Sequence, residues 1–110
     1  MLIAVASKDG KEINQHFGHA DRFLIFEVMA SDVRLVDEKK VDRYCSGEEN
    51  HPLRGDLLAA IAGGLDGCRA LVCAQIGQAP QREMERLGLD VFMAGGPIRA
   101  TLAELAKLLL

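Results

Sequence analysis

Several residue types are scarce in this sequence of 110 residues, and each scarcity excludes a class of protein. There is no tryptophan, and with four phenylalanines and one tyrosine the core must be filled mainly by aliphatic side chains. Three cysteines without a close Cys-x-x-Cys pair fit no disulfide framework. No stretch approaches the roughly 20 apolar residues of a membrane span, and the N-terminus lacks the basic region of a signal peptide. We therefore expect a cytoplasmic protein with no membrane partner.

Basic residues are also too few for a large cationic surface. Asp and Glu number 16 against 13 Lys and Arg, which gives a formal net charge of −3. This balance argues against a nucleic-acid partner, because phosphate binding requires a basic face. The composition, 49% hydrophobic and 26% charged, is typical of a globular protein. We expect a single domain over residues 1–110, with an oligomeric state that the sequence does not indicate.

The first 41 residues predict three strands. Residues 2–6 (LIAVA) form an apolar run of the kind found in a strand covered on both faces. Residues 22–29 are rich in Phe, Ile and Val and predict a second strand. Residues 33–41 predict a third strand, whose charges suit the edge of a sheet. The polar segment after the first strand predicts a loop, with a short strand or turn near Ile13 as an option.

In the second half of the sequence, helical spacing alternates with short apolar runs. Helices are predicted from Pro52 to Leu65, from Pro80 to Gly88, and from Gly95-Gly96-Pro97 through Leu109. Short buried strands are predicted at 69–74 and 89–94. The predicted order of elements is therefore βββαβαβα.

This order predicts an α/β fold with a mixed five-stranded sheet. Three strands joined by short connections form an antiparallel meander, and strands separated by helices run parallel. The expected strand order, counting the five main strands, is 3-2-1-4-5, which is the ribonuclease-H-like arrangement. Ligands of open α/β sheets bind at the carboxyl edge. Four loops are expected there, containing His16 and His19, Cys45 and His51, Gln75 to Gln78, and Gly95-Gly96.

The edge loops hold the best candidates for metal ligands. His16 and His19 stand three residues apart in NQHFGHADRF, so both could reach one metal, although exposed turn residues are the ordinary interpretation. Ligation is favoured because His51 also falls in an edge loop. Cys45 lies in a polar loop, where a soft ligand is expected rather than a core residue, and Arg43 would favour its thiolate form.

The remaining candidates favour structure over catalysis. Cys73 lies inside the apolar run ALVCA and is predicted to be a core residue. Asp9 and Glu12 do not predict a nuclease, because a two-metal site of the ribonuclease-H type needs several acids, beginning inside the first strand. Neither a Ser-His-Asp pattern nor a phosphate-binding glycine loop is present. No enzymatic activity is predicted.

Four stretches carry a family resemblance: VASKDGKEINQHFGHADRFLIFEV, RYC with a glycine soon after it, GCRALVCAQIGQAP, and GGPIRATLAELAKLL. Together they resemble the dinitrogenase iron–molybdenum cofactor family, which includes NifX, the core domain of NafY and the carboxy-terminal domain of NifB. The most specific piece is the His-Phe-Gly of residues 16–18. A stand-alone NifX-like protein is the nearest match, because the chain lacks the CxxxCxxC motif of a radical enzyme.

The resemblance implies a non-catalytic carrier of iron–molybdenum cofactor or its iron–sulfur precursor. It maps metal ligation onto His16 and Cys45, and partners would be nitrogenase cofactor-assembly proteins or apo-dinitrogenase. His19, His51, Gly18 and Arg43 are further candidates for contact with the anionic cluster, through imidazoles, backbone amides and a guanidinium. Three alternatives stay open: a cluster-responsive regulator, a general metal-binding domain outside nitrogen fixation, and a nuclease-like enzyme.

Overall fold

The structure is a computed structural model that describes residues 1–44 and 55–110. Its strands are β1 (Leu2–Val5), β2 (Glu12–Ile13), β3 (Arg22–Met29), β4 (Asp32–Lys40), β5 (Cys68–Cys73), β6 (Asp90–Met93) and β7 (Gly96–Pro97). Its helices are α1 (Gly55–Gly64), α2 (Gln78–Arg86) and α3 (Ile98–Leu109), with a 3-10 turn over Phe17–His19. None of these helices is long and apolar enough to cross a membrane.

Five strands form the main sheet, in the order β4-β3-β1-β5-β6. Strand β3 is antiparallel to both β1 and β4, because short connections reverse the chain. Strands β5 and β6 run parallel to β1, since α1 and α2 return the chain to the same end of the sheet. The predicted mixed sheet with three helices is thus confirmed.

Alternating side chains of the sheet supply two hydrophobic layers. On one face, Ala4 of β1 joins a layer completed by Leu58 of α1 and Met84 of α2. On the other face, Ile3 joins a layer completed by Leu102 of α3. Both faces of the first strand are therefore covered, as its apolar run predicted.

Two helix starts differ from the predictions. Helix α2 begins at Gln78, with Gly77 at the N-cap, so Pro80 occupies the third helical position instead of the first. A proline is tolerated there because the first-turn N–H groups have no acceptors within the helix. Gly96–Pro97 does not start the last helix but forms β7, which pairs with β2 and confirms the short strand near Ile13. The predicted start at Pro52 lies outside the described residues.

The loop between β1 and β3 crosses the carboxyl edge of the sheet. Ile13 packs in the α3 layer, whereas Phe17 packs in the layer under α1 and α2. Between them the chain runs beside the end of β5: the N–H of Ala74 donates to the carbonyl of Gln15 over 3.0 Å, and the N–H of Phe17 donates to Gln75 over 2.9 Å. These bonds fix the histidine segment at that edge.

Candidate functional site

A cleft of about 350 Å³ opens at the carboxyl edge beside the 3-10 turn. Three segments distant in sequence form it. They are the 3-10 turn, Tyr44 in the segment after β4, and the loop from β5 into α2. Its lining residues are His16, Phe17, Gly18, His19, Tyr44, Gln75, Ile76, Gly77, Ala79 and Pro80. This volume falls in the range of small-molecule sites.

The His-Phe-Gly segment is held by one buried side chain. Phe17 is almost fully buried, and its ring centroid lies 5.9 Å from that of Phe23 and 6.2 Å from that of Tyr44. Next to it, His16 makes an isolated parallel bridge with Gln75. Because Phe17 points into the core, its neighbour His16 is turned outward to solvent.

One tight turn brings the second histidine beside the first. The N–H of His19 donates to the carbonyl of His16 over 3.1 Å. The two exposed imidazole rings lie parallel, with their centroids 5.5 Å apart. The histidine segment, predicted as a plain loop, is therefore a 3-10 turn, and its hydrogen bond sets the spacing of the rings.

Paired imidazoles of this kind offer two nitrogen ligands at the mouth of a cleft. Within residues 1–44 and 55–110, no group of three His, Cys, Asp or Glu side chains is positioned to hold a metal ion. A closed structural metal site needs about four protein ligands. The described part of the cleft therefore offers two imidazoles and no third side chain of these types positioned with them.

The charges around the cleft suit a neutral or anionic ligand. Helix α2 begins at its wall, and Gly77 at the N-cap supplies no side-chain hydrogen bond to the helix end. The partial positive charge of that end faces a region where no described lining residue carries a carboxylate. A cation that is not strongly coordinated by nitrogen would gain little binding free energy in this cleft.

Comparison with known proteins decides the family. The sequence profile described as dinitrogenase iron-molybdenum cofactor matches residues 1–108. This chain belongs to that family. Similar proteins include the FeMo cofactor biosynthesis protein NifB of Azotobacter vinelandii, 40% identical over 90 residues that cover 82% of this chain and 18% of NifB. The NifB of Klebsiella pneumoniae is 36% identical over 96 residues, or 86% of this chain and 20% of NifB.

The chain thus spans about a fifth of the length of these curated relatives. Two solved structures share the fold of this dinitrogenase iron–molybdenum cofactor domain. The crystal structure of PH0822 has a TM-score of 0.69 at 24% identity and covers 97% of this chain and 89% of its own. The protein mj0327 of Methanocaldococcus jannaschii has a TM-score of 0.62 at 15% identity, with coverages of 97% and 88%.

Within this family domain, the structure groups some of the predicted site residues. His16, Gly18 and His19 line the cleft together with the loop that begins at Gln75. Gly95-Gly96 does not join them, because Gly96 pairs with β2 toward the α3 layer. The loop after β6 leaves the same edge of the sheet, because β6 runs parallel to β5, but its glycines do not line the described part of the cleft.

The predicted arginine contacts are not part of the cleft lining. The Nη2 atom of Arg43 lies 3.8 Å from Oδ2 of Asp21, on exposed side chains. Arg22, at the start of β3, pairs with Glu38 over 3.1 Å. A contact between Arg43 and a bound cluster stays a prediction, as do those of Cys45 and His51, which lie outside the described residues.

The other two cysteines have environments unlike a ligand site. Cys73 is fully buried, and burial raises the pKa of its thiol to about 11, so it stays protonated near neutral pH. Burial also raises the pKa of the partly exposed Cys68. The predicted core role of Cys73 is confirmed.

Sequence reasoning missed the apolar walls of the cleft. Tyr44, Ile76 and Pro80 line it, and Tyr44 is itself 7% exposed. The one tyrosine in a chain with few aromatics, placed next to Cys45, was the signal that could have drawn attention to this wall. The wall gives the site an apolar side on which a bulky ligand can rest.

Proposed function

We propose that this domain binds iron–molybdenum cofactor or its iron–sulfur precursor in the cleft lined by His16 and His19, here called the histidine cleft. The domain carries this cluster during nitrogenase cofactor assembly and does not catalyse a reaction. One observation carries the proposal: the parallel pair His16 and His19 stands at the mouth of a cleft whose described lining has no carboxylate. Family membership supports it, because the similar NifB proteins are named for FeMo cofactor biosynthesis.

The open coordination of the site fits a carrier. A cargo protein must hold its cluster and then release it, and two exposed imidazoles are easier to displace than a buried set of four ligands. Cys45 remains the predicted thiolate ligand. Tyr44, which directly precedes it in the sequence, lines the cleft.

The setting of this function is part of the proposal. The partners would be cofactor-assembly proteins or apo-dinitrogenase, in the cytoplasm, where thiols stay reduced. We also assign the sheet, with its order β4-β3-β1-β5-β6, to the ribonuclease-H-like class. That class name describes the fold and implies no nuclease activity.

An anaerobic titration with isolated iron–molybdenum cofactor tests the site. Wild-type protein is expected to bind about one cluster per chain, measured by absorption and iron content after gel filtration. The His16→Ala, His19→Ala double variant is expected to lose affinity by tenfold or more, since one hydrogen-bond or ligand contact of about 1.4 kcal/mol corresponds to tenfold. Arg82→Ala, an exposed α2 change outside the lining, is the matched control.

A second double variant tests the predicted ligand pair His16 and Cys45. If a His16→Ala, Cys45→Ala double variant binds the cluster as tightly as wild type, the cleft is not the binding site. A regulator would also bind cluster, so pull-downs with loaded protein separate the roles. Recovery of cofactor-assembly proteins supports a carrier, and recovery of a kinase or transcription factor in their place contradicts it.

A further inference from the structure

A second cavity lies on the opposite face of the sheet, in the α3 layer. This α3 hollow has a volume of about 270 Å³ and is lined by Gly10, Lys11, Phe26, Leu35, Pro97, Ile98 and Arg99. It shares no lining residue with the histidine cleft. The hollow therefore needs its own explanation.

Two cations form the rim of the α3 hollow. Lys11 and Arg99 are its only ionisable lining residues, and within the described chain neither has an ion pair with a carboxylate. The guanidinium of Arg99 donates to the carbonyl of Val33, which orients the side chain and leaves its charge uncompensated. A guanidinium has five N–H donors, so others stay available to an anion.

A backbone hydrogen bond brings the segments that contain the two cations together. The N–H of Ile98 donates to the carbonyl of Lys11 over 3.0 Å, which ties the loop before β2 to the first residue of α3. Arg99 is the next residue of that helix. The fold therefore places the two cationic residues at neighbouring backbone positions on the rim of the hollow.

The floor of the hollow is apolar. Phe26 and Ile98 are nearly fully buried beneath it, whereas Leu35 is 50% exposed on the outer strand β4. A ligand resting on this floor would cover Leu35 and gain hydrophobic free energy in proportion to the apolar area removed from water. Two cations beside such a floor match a small molecule that has both an anionic and an apolar end.

We propose that the α3 hollow binds a small organic carboxylate with an aromatic or aliphatic body. The carboxylate contacts Arg99 and Lys11, and the body packs on Phe26, Leu35 and Ile98. Two cations are too few for a polyanion, in keeping with the net charge of −3. This site is separate from the proposed cluster site, so either proposal can fail alone.

An NMR titration of the full chain tests the hollow, with 1-naphthoate as the anionic probe. Amide signals of Gly10, Lys11, Leu35 and Arg99 are expected to shift and saturate together. The neutral probe 1-naphthalenemethanol and inorganic phosphate are each expected to bind about tenfold more weakly. The neutral probe lacks the carboxylate, and phosphate lacks the apolar body.

Charge-removing variants separate this site from nonspecific binding. Lys11→Met and Arg99→Met together are expected to weaken 1-naphthoate about tenfold or more. Lys107→Met, elsewhere on α3, is the matched control, expected to bind like wild type. Equal binding by the double variant, shifts confined to the histidine cleft, or equal affinity for the neutral probe would each overturn the proposal.

Discussion

At the scale of single residues, Phe17 connects the core to the candidate site. Its ring is buried between Phe23 and Tyr44, while its backbone N–H donates to the carbonyl of Gln75. The same residue therefore anchors the histidine turn and joins it to the opposite wall of the cleft. The His-Phe-Gly motif combines an exposed imidazole with a buried anchor.

Shortening Phe17 is expected to damage stability and binding together. Phe17→Ala should lower the free energy of unfolding by about 3–5 kcal/mol, the usual cost of removing a buried aromatic ring. His16→Ala should change it by less than about 0.5 kcal/mol, because its imidazole is exposed. Urea denaturation measures both. A stable Phe17→Ala protein with normal cluster affinity would show that the ring is not the anchor.

Two cysteines are expected to respond in opposite ways. Cys73→Ala removes buried volume, so it should cost about 1 kcal/mol of stability and keep cluster affinity. Cys45→Ala should leave the melting temperature nearly unchanged and weaken cluster binding, because a thiolate is a strong ligand for iron. Thermal unfolding and the anaerobic titration test the pair. Reversed outcomes would refute the ligand assignment and the packing assignment together.

At the scale of elements, the loop after β1 is organised by its own polar side chains. The hydroxyl of Ser7, a residue only 1% exposed, donates to the carbonyl of Glu12 over 2.5 Å and accepts the N–H of Gly10 over 2.9 Å. Asp9 accepts the N–H groups of Lys11 and Glu12. Gly10 has a φ of 77°, a conformation that favours glycine. These bonds give the Ser-x-Asp-Gly opening a structural role.

The same bonds predict a pH dependence. The N–H of Lys11, followed by that of Glu12, lowers the pKa of the exposed Asp9 carboxyl below its ordinary 3.8. Its stabilising contribution is therefore present above that ordinary value and is lost as the pH falls through the lowered pKa. Asp9→Asn should destabilise the protein more at about pH 6 than at about pH 3, as measured by urea unfolding. Asp66→Asn serves as the surface control, and an equal loss at both pH values would contradict the role of Asp9.

At the scale of the whole molecule, the two proposed sites lie on opposite faces of the sheet. The histidine cleft belongs to the layer of α1 and α2, and the α3 hollow belongs to the layer of α3. One loop supplies residues to both, because it crosses the edge between Lys11 and His16. A substitution near Lys11 is expected to affect the α3 hollow more than the histidine cleft, and a substitution near His16 is expected to do the reverse.

Oxygen exposure tests, in the whole protein, whether the proposed cluster site is open to solvent. Protein purified in air is expected to be colourless, since a cluster held by exposed ligands would be lost, whereas anaerobic loading should give a coloured protein. Absorption spectra before and after exposure to air measure the loss. A bound cluster that survives aerobic purification unchanged would contradict an open site.

The sequence by itself determined the main elements and the chemistry of the turn. Periods of about two and 3.6 residues are local properties, so the five main strands and the presence of helices could be read from them. The clustering of His16 and His19 is also local, because three residues fix their separation. The helix start at Pro80 was misplaced since proline is acceptable anywhere in the first turn, and local sequence does not select among those positions.

The element order predicted which loops meet at the carboxyl edge, but only the tertiary structure decided which of their residues come into contact there. The bridge between His16 and Gln75 joins residues far apart in the chain, and Gly96 pairs with Ile13 across a still longer stretch of sequence. Such pairings depend on how both layers pack against the sheet, and no short pattern encodes them. The same reason explains the partner of Arg43 and the wall made by Tyr44. Local hydrogen bonds and periodicity thus specified the strands, helices and turns. Long-range packing specified which of these elements contact one another.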